Sequence, residues 1–382
     1  MKLVSAHTLN IGEISMRPRE RLLQILKHKK ADHVPWFGDL DYWATSLICR
    51  GLKPEGFVRS DAYLEWHREL GVGFYLQGCF PFKELFRSCN VTEEVINGIR
   101  SRTISTPIGS ITERWKWLPN SFSEAPIKHF VETDKDLKIY QYAYSHLAYE
   151  PDYEFLHIRK QQIGDYGVLL AYMPKSPLMQ LIALDSGIMN VVLLEMQFPS
   201  LFHEVINCMK STLSAACSIV LESPAEIIMI PENLSSEMVG PRYFETYMRD
   251  YQSHWSQQIQ QLGKYSCIHM DGTLKGLLKE VCSVELSFIE ACTPDPVGDV
   301  PVEEWDTYTE DNSTIMWGGI PGPYFTDSVT DEEFIHFVER VLTVMRRKPQ
   351  YVLGVADQVP PDALTYRVAM VRELVEEHGR YE

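Results

Sequence analysis

Apolar runs bounded by turn residues recur eight times along the chain, at Val34–Asp39, Val72–Leu76, Val168–Met173, Glu226–Ile230, Tyr265–His269, Leu286–Glu290, Thr314–Trp317 and Tyr351–Val355. Most of the intervals carry helical stripes. From Ser15, Pro18 in a first turn precedes Leu22, Leu23, Ile25 and Leu26 on one face. A longer stripe opens at Gly240-Pro241, sets Phe244, Tyr247, Met248, Tyr251, Trp255, Ile259 and Leu262 on one side and stops at Gly263. Near-continuous apolar strands alternating with helices predict a parallel sheet covered on both faces. Eight such units predict an α/β fold of the (β/α)8 TIM-barrel type. Residues 91–131 break the rhythm: the Asn97-Gly98 hairpin signal and the run Ile108–Thr112 predict a β insertion near the barrel mouth. The expected organisation is one domain over 15–382, with 1–14 as an N-terminal extension.

Several apolar runs stop on polar groups, and strand ends are where barrel enzymes carry their chemistry. Tyr265–His269 runs on into Met270-Asp271-Gly272, Tyr351–Ala356 ends at Asp357, and Ile227–Pro231 gives way to Glu232-Asn233. Residues two apart on a strand share a face, so His269 and Asp271 converge, with Cys267 one layer deeper. His269, Asp271, Asp357 and Glu232 are therefore expected to aim at one face. Each has a plainer reading: a core histidine bonded to an acid, a helix cap at Asp271, a turn residue at Asp357, a loop carboxylate at Glu232. Cys267 reads as an apolar filler and Cys292 as an idle thiol.

A composition with 45% hydrophobic residues supplies a full core for 382 residues. The formal charge of -16 opposes binding to nucleic acid or anionic membranes. The eight cysteines form no Cys-x-x-Cys pair, which predicts reduced thiols in a cytoplasmic protein. No stretch reaches the roughly 20 apolar residues that span a bilayer, and Met1–Ser15 has no signal-peptide pattern.

Arg19-Glu20-Arg21, Asp32-His33-Val34-Pro35, Thr106-Pro107-Ile108-Gly109-Ser110, Glu232-Asn233-Leu234-Ser235-Ser236, His269-Met270-Asp271-Gly272, Gly318-Gly319-Ile320-Pro321-Gly322 and the Asp357 segment follow one another in a characteristic order. In that order the sequence resembles the uroporphyrinogen decarboxylase superfamily over nearly its whole length. The resemblance implies an α/β barrel and one of two activities: decarboxylation in the heme pathway, or methyl transfer between methylcobamide proteins and thiols. The decarboxylases grip propionates with an Arg-rich motif after the first strand, of the form Arg-Gln-Ala-Gly-Arg-Tyr. Here that place reads Gly38-Asp39-Leu40-Asp41-Tyr42-Trp43, and acids facing a polyanion are unfavourable. The methyltransferase branch, to which the chain looks closer, holds zinc with His-x-Cys and a Cys on the last strand. The matching positions are His269, Asp271 and Asp357, so two thiolates are replaced by carboxylates. Such a set suits zinc first and also manganese or iron.

The expected function is a metal-dependent methyltransferase acting with a corrinoid protein or a small methyl acceptor. Its catalytic groups would be Glu232 and Asp39, and its substrate contacts Trp36, Asp41, Tyr42, Trp43 and Asn233. The superfamily likeness also implies a homodimer. Two further classes stand beside this one: a decarboxylase using Asp39 or Asp41 on a tetrapyrrole or related carboxylate, and a non-catalytic barrel that holds a corrinoid or tetrapyrrole.

Overall fold

The computed structural model describes residues 15–309 and 313–382; the predicted extension 1–14 lies outside the described residues. All eight apolar runs contain strand. Seven strands form a curled parallel sheet in the order Trp36–Phe37, Tyr351–Ala356, Ile315–Pro321, Phe288–Cys292, Tyr265–Met270, Ile227–Leu234, Leu170–Tyr172. Phe74–Tyr75 pairs in parallel with Gly167–Val168, one residue before the seventh strand. A single parallel bridge joins Phe37 to Gly73.

Alternation along these strands sorts the apolar residues into two layers. One side chain set, including Phe37, Tyr75, Leu170, Met229, Cys267, Phe288, Trp317 and Val352, packs on the concave side. The alternate set, including Trp36, Ile228, Ile230, Ile268, Met270, Ile289 and Leu353, joins the larger layer beneath the helices. Trp317 fills the concave side, with ring centroids 4.7 Å from Tyr75, 5.3 Å from Phe288 and 5.6 Å from Phe37. A buried ring of this size contributes roughly 1.5–3 kcal/mol. It fits because residue 354 is glycine: a Cβ there would stand 2.6 Å from Trp317 Cδ1.

The predicted stripe after Gly240 forms Pro241–Tyr243, a π-type turn at Phe244–Met248 and the helix Arg249–Gln261. Its expected apolar residues are buried except Leu262, which lies in the closing turn beside Gly263 and is exposed. The insertion is a four-stranded antiparallel sheet, Asn90–Ile96, Ile99–Thr106, Gly109–Leu118 and Ser123–Lys128. Its first hairpin turns at Asn97 and Gly98, both with positive φ, as the twist of a two-residue hairpin requires.

Candidate metal centre at the strand ends

The strand Tyr265–Met270 directs Cys267 and then His269 to the concave side, and Asp271 continues that face just past the strand's end. Asp357 follows directly on Tyr351–Ala356. One donor atom from each of His269, Asp271 and Asp357 lies within 4.8 Å of the other two. The imidazole Nε2 is 3.5 Å from Asp357 Oδ1 and 3.9 Å from Asp271 Oδ1. The other ring nitrogen is already held, since Nδ1 lies 2.6 Å from Glu290 Oε2. Glu290 is the register partner of His269 on the neighbouring strand, and its second oxygen accepts the Tyr75 hydroxyl at 2.8 Å.

Electrostatics mark this group as strained in charge. Burial alone would lower the pKa of His269, but Glu290, Asp357 and Asp271 outweigh it and hold the imidazole at about 10. Burial, with Glu290 and Asp271 adding to it, pushes Asp357 up to about 6 against the pull of His269. Asp39 is buried and its carboxyl is raised well above the usual range, by burial and by the charges of Asp41, Asp357 and Glu290. Its Oδ1 accepts the Asp41 N–H at 2.8 Å, and its carbonyl accepts the Val359 N–H at 3.0 Å, tying the end of the first strand to the Asp357 loop.

The other expected residues fall in different places. Glu232 is fully buried, and its oxygens accept the Ser176 N–H at 3.1 Å and the Gln252 side-chain amide at 3.2 Å. Those partners lie in the loop after the Leu170–Tyr172 strand and on the helix Arg249–Gln261, and among the described residues the ligand group has three members without Glu232. Asn233 accepts a hydrogen bond from Lys175 Nζ at 2.7 Å. Trp36 and Trp43 belong to the layer beneath the helices, Trp36 near Phe325 and Trp43 4.7 Å from Trp66. Strand alternation is the reason for Trp36: its neighbour Phe37 takes the concave side. Asp41 accepts from the Tyr63 hydroxyl, and Tyr42 donates to the Ser121 carbonyl at 2.5 Å, joining the helix Asp41–Cys49 after the first strand to the insertion. The cap reading of Asp271 is not observed; Asp299 accepts the N–H groups of Leu274 and Lys275 instead. Cys267 is a buried member of the concave core, as its filler reading expects.

Sequence reasoning passed over Glu290 and Lys175. Glu290 ends an apolar run two residues after the inward Phe288, so the strand period could have placed it inside. Lys175 stands three residues past a strand, with no periodic signal; its amine donates to Pro231 O and Asn233, and burial, opposed by Glu232 and Asp271, lowers its pKa to about 8.

A curled parallel sheet covered by helices, with a histidine and acids gathered where its strands end, defines an α/β scaffold with a polar cluster at its strand ends. The chain belongs to the uroporphyrinogen decarboxylase (URO-D) family: residues 171–378, more than half of it, match the family, a span that takes in His269, Asp271, Glu290 and Asp357 but not Asp39. Among solved structures, a methyltransferase from Methanosarcina mazei is similar at 12% identity and a TM-score of 0.60, covering 95% of this chain and 99% of its own. That likeness speaks for the fold. A D-psicose 3-epimerase in the presence of D-fructose matches with a TM-score of 0.31 at 11% identity, over 58% of this chain and 81% of its own, which is too distant to bear on the argument. No curated protein matches the sequence. Among the described residues no helix is long and apolar enough to cross a membrane.

Proposed function

We propose that this protein is a methyltransferase of the URO-D family whose centre holds a divalent cation, zinc first, on His269, Asp271 and Asp357. The observation that carries the reading is the His269 ring itself, with one nitrogen fixed by a buried glutamate and the other turned to two carboxylates. A carboxylate behind a ligating histidine sets its tautomer and raises its basicity. One imidazole and two carboxylates also match the borderline-to-hard cations, and three protein ligands are what catalytic sites supply. A bound cation of this kind polarises an acceptor atom and lowers its pKa.

The chain's own residues do the rest. Glu290 orients His269 and is itself oriented by Tyr75. Asp39, buried and raised in pKa beside the centre, takes the proton that the acceptor gives up. Glu232 supports the mouth from the helix side through Ser176 and Gln252, and Asn233 fixes the amine of Lys175. The reading includes closure of the sheet into an eight-stranded barrel, supported by the Phe37–Gly73 bridge and the Phe74–Tyr75 pairing between the sheet's two edges. It also includes a methylated corrinoid protein or a small methylated molecule as donor, and a homodimer.

Elemental analysis of the purified protein, followed by zinc titration of the chelator-treated form, tests the proposal. Close to one equivalent of metal per chain, lost in His269→Ala, is the expected result. Absence of saturable metal binding would remove the centre. Incubation with uroporphyrinogen should release no carboxyl group as carbon dioxide, and stepwise decarboxylation would overturn methyl transfer.

A further inference from the structure

A cleft of about 670 Å³ opens between the turn Phe57–Arg59, the loop after Phe74–Tyr75 and the helix Glu154–Ile163. Small-molecule sites run from roughly 300 to 1,000 Å³. None of His269, Asp271 and Asp357 lines this one. Polar and apolar groups share its wall, and two of the polar ones are charges of opposite sign. Arg59 and Glu154 are both exposed there, and among the described residues neither side chain has an ion-pair partner. The Arg59 guanidinium sits 4.0 Å over the Phe155 ring, and Phe155 is the chain neighbour of Glu154, so the two charges flank one short stretch of wall. The acids nearby are occupied: Asp152 lies 3.0 Å from Lys83, and Asp41 accepts from the Tyr63 hydroxyl. Phe80 at 46% and Ile158 at 44% exposure add apolar surface to the same cleft.

Opposite charges held in one cleft, yet not paired with each other, decide what it suits. A bare anion that reached Arg59 would also meet Glu154, Asp152 and Asp41, and a bare cation drawn to Glu154 would meet Arg59. An uncharged occupant would strip water from both groups and return no partner, a cost at each charge. A molecule with both charges close together answers both. Its carboxylate takes the parallel N–H donors of a guanidinium, and its ammonium gives N–H groups to the glutamate. An α-amino acid carries the two groups on one carbon, and a large apolar side chain on that carbon would cover Phe80 and Ile158.

We propose that this cleft binds a free α-amino acid with a large apolar side chain, its carboxylate on Arg59, its ammonium on Glu154 and its side chain against Phe80 and Ile158. The site stands apart from the metal centre and from methyl transfer, so either reading can fail without the other.

Calorimetric titration of the full chain with L-phenylalanine tests it, beside phenethylamine and 3-phenylpropanoate, which each lack one of the two charges. Saturable one-site binding of L-phenylalanine is expected, with each analogue at least about tenfold weaker. Arg59→Gln should bring L-phenylalanine down to the level of phenethylamine and leave phenethylamine no weaker than before. Glu154→Gln should bring it down to the level of 3-phenylpropanoate and leave that analogue no weaker. The retained analogue in each variant shows that the cleft is still folded. Phe80→Ala should weaken all three ligands. No saturable heat with L-phenylalanine up to about 10 mM, an analogue that binds as tightly, or undiminished L-phenylalanine affinity in either charge variant would each overturn the proposal.

Discussion

Two buried cations, His269 and Arg367, are each ringed by oxygen, and they are satisfied in opposite ways. Arg367, 3% exposed, donates to the backbone carbonyls of Tyr324, Thr326 and Val329 and to Asp331 Oδ1 at 2.7 Å. Tyr366 and Arg367 together lower the Asp331 carboxyl, so the charges there suit the fold as it stands. Around His269 one cation confronts Glu290, Asp271 and Asp357, with the buried Asp39 also close enough to feel Glu290 and Asp357, and both Asp39 and Asp357 are pushed up. An excess of negative charge in a buried mouth is a cost to the chain alone and an asset to a cation that relieves it. On the function proposed above, the first cluster serves stability and the second a ligand.

Removing each central cation is the strongest way to break the contrast. Zinc at a hundred times its dissociation constant should stabilise the protein by about 2.7 kcal/mol, read as a rise in thermal midpoint, and His269→Ala should abolish the rise. Glu290→Gln should keep the fold and weaken zinc about 10–100-fold, the usual effect of a group that orients a ligand. Arg367→Met should instead cost about 3 kcal/mol in denaturant unfolding, because three backbone carbonyls lose charged donors, and should leave the zinc affinity of the folded protein unchanged. A zinc response that vanished in Arg367→Met and persisted in His269→Ala would invert the assignment of the two clusters.

The interior beneath the centre sharpens the same comparison. Cys267 is one turn of the strand period below His269 and fully buried, and burial pushes its thiol well above the usual range. It should therefore act as packing only. Cys267→Ala should cost about 1.5 kcal/mol by leaving a small void, with zinc affinity unaltered. A fall in zinc affinity in that variant would bring a sulfur into the ligand set.

How much of this was readable beforehand follows from which signals are local. The eight strands, the hairpin at Asn97-Gly98 and the convergence of His269 with Asp271 came from period and turn chemistry, which neighbouring residues alone decide. Asp357 could be aimed at the same place because a strand end fixes its height. Glu232 shows where this fails: it is also at a strand end, but the register shift between Ile230 and Leu234 and the reach of Gln252 from a later helix put it on the helix side. Trp36 and Trp43 pack in the layer beneath the helices for a related reason, since bulk alone does not say which face of a strand or helix a ring occupies. Glu290 depends on which strand lies beside that of His269, a fact of topology that no single segment contains.

The smallest expected effect tests the cost side of the contrast. Asp357 titrates at about 6 in the fold, above the roughly 3.9 of an unfolded aspartate. A raised carboxylate is penalised in its charged form, so the penalty is present in full above pH 6 and fades as pH falls toward 4, where both states bind the proton. Asp357→Asn removes the charge with little change of shape. In metal-free protein it should raise stability by about 1 kcal/mol at pH 7.5, a figure kept small because the side chain is partly exposed to solvent that screens it. The gain should shrink steadily in denaturant melts taken between pH 6 and pH 4. The same variant should lose the zinc response, so that one substitution makes the chain more stable and the centre incompetent. A variant less stable than the parent at pH 7.5 would mean that Asp357 serves the fold as Asp331 does, and the distinction between the two clusters would collapse.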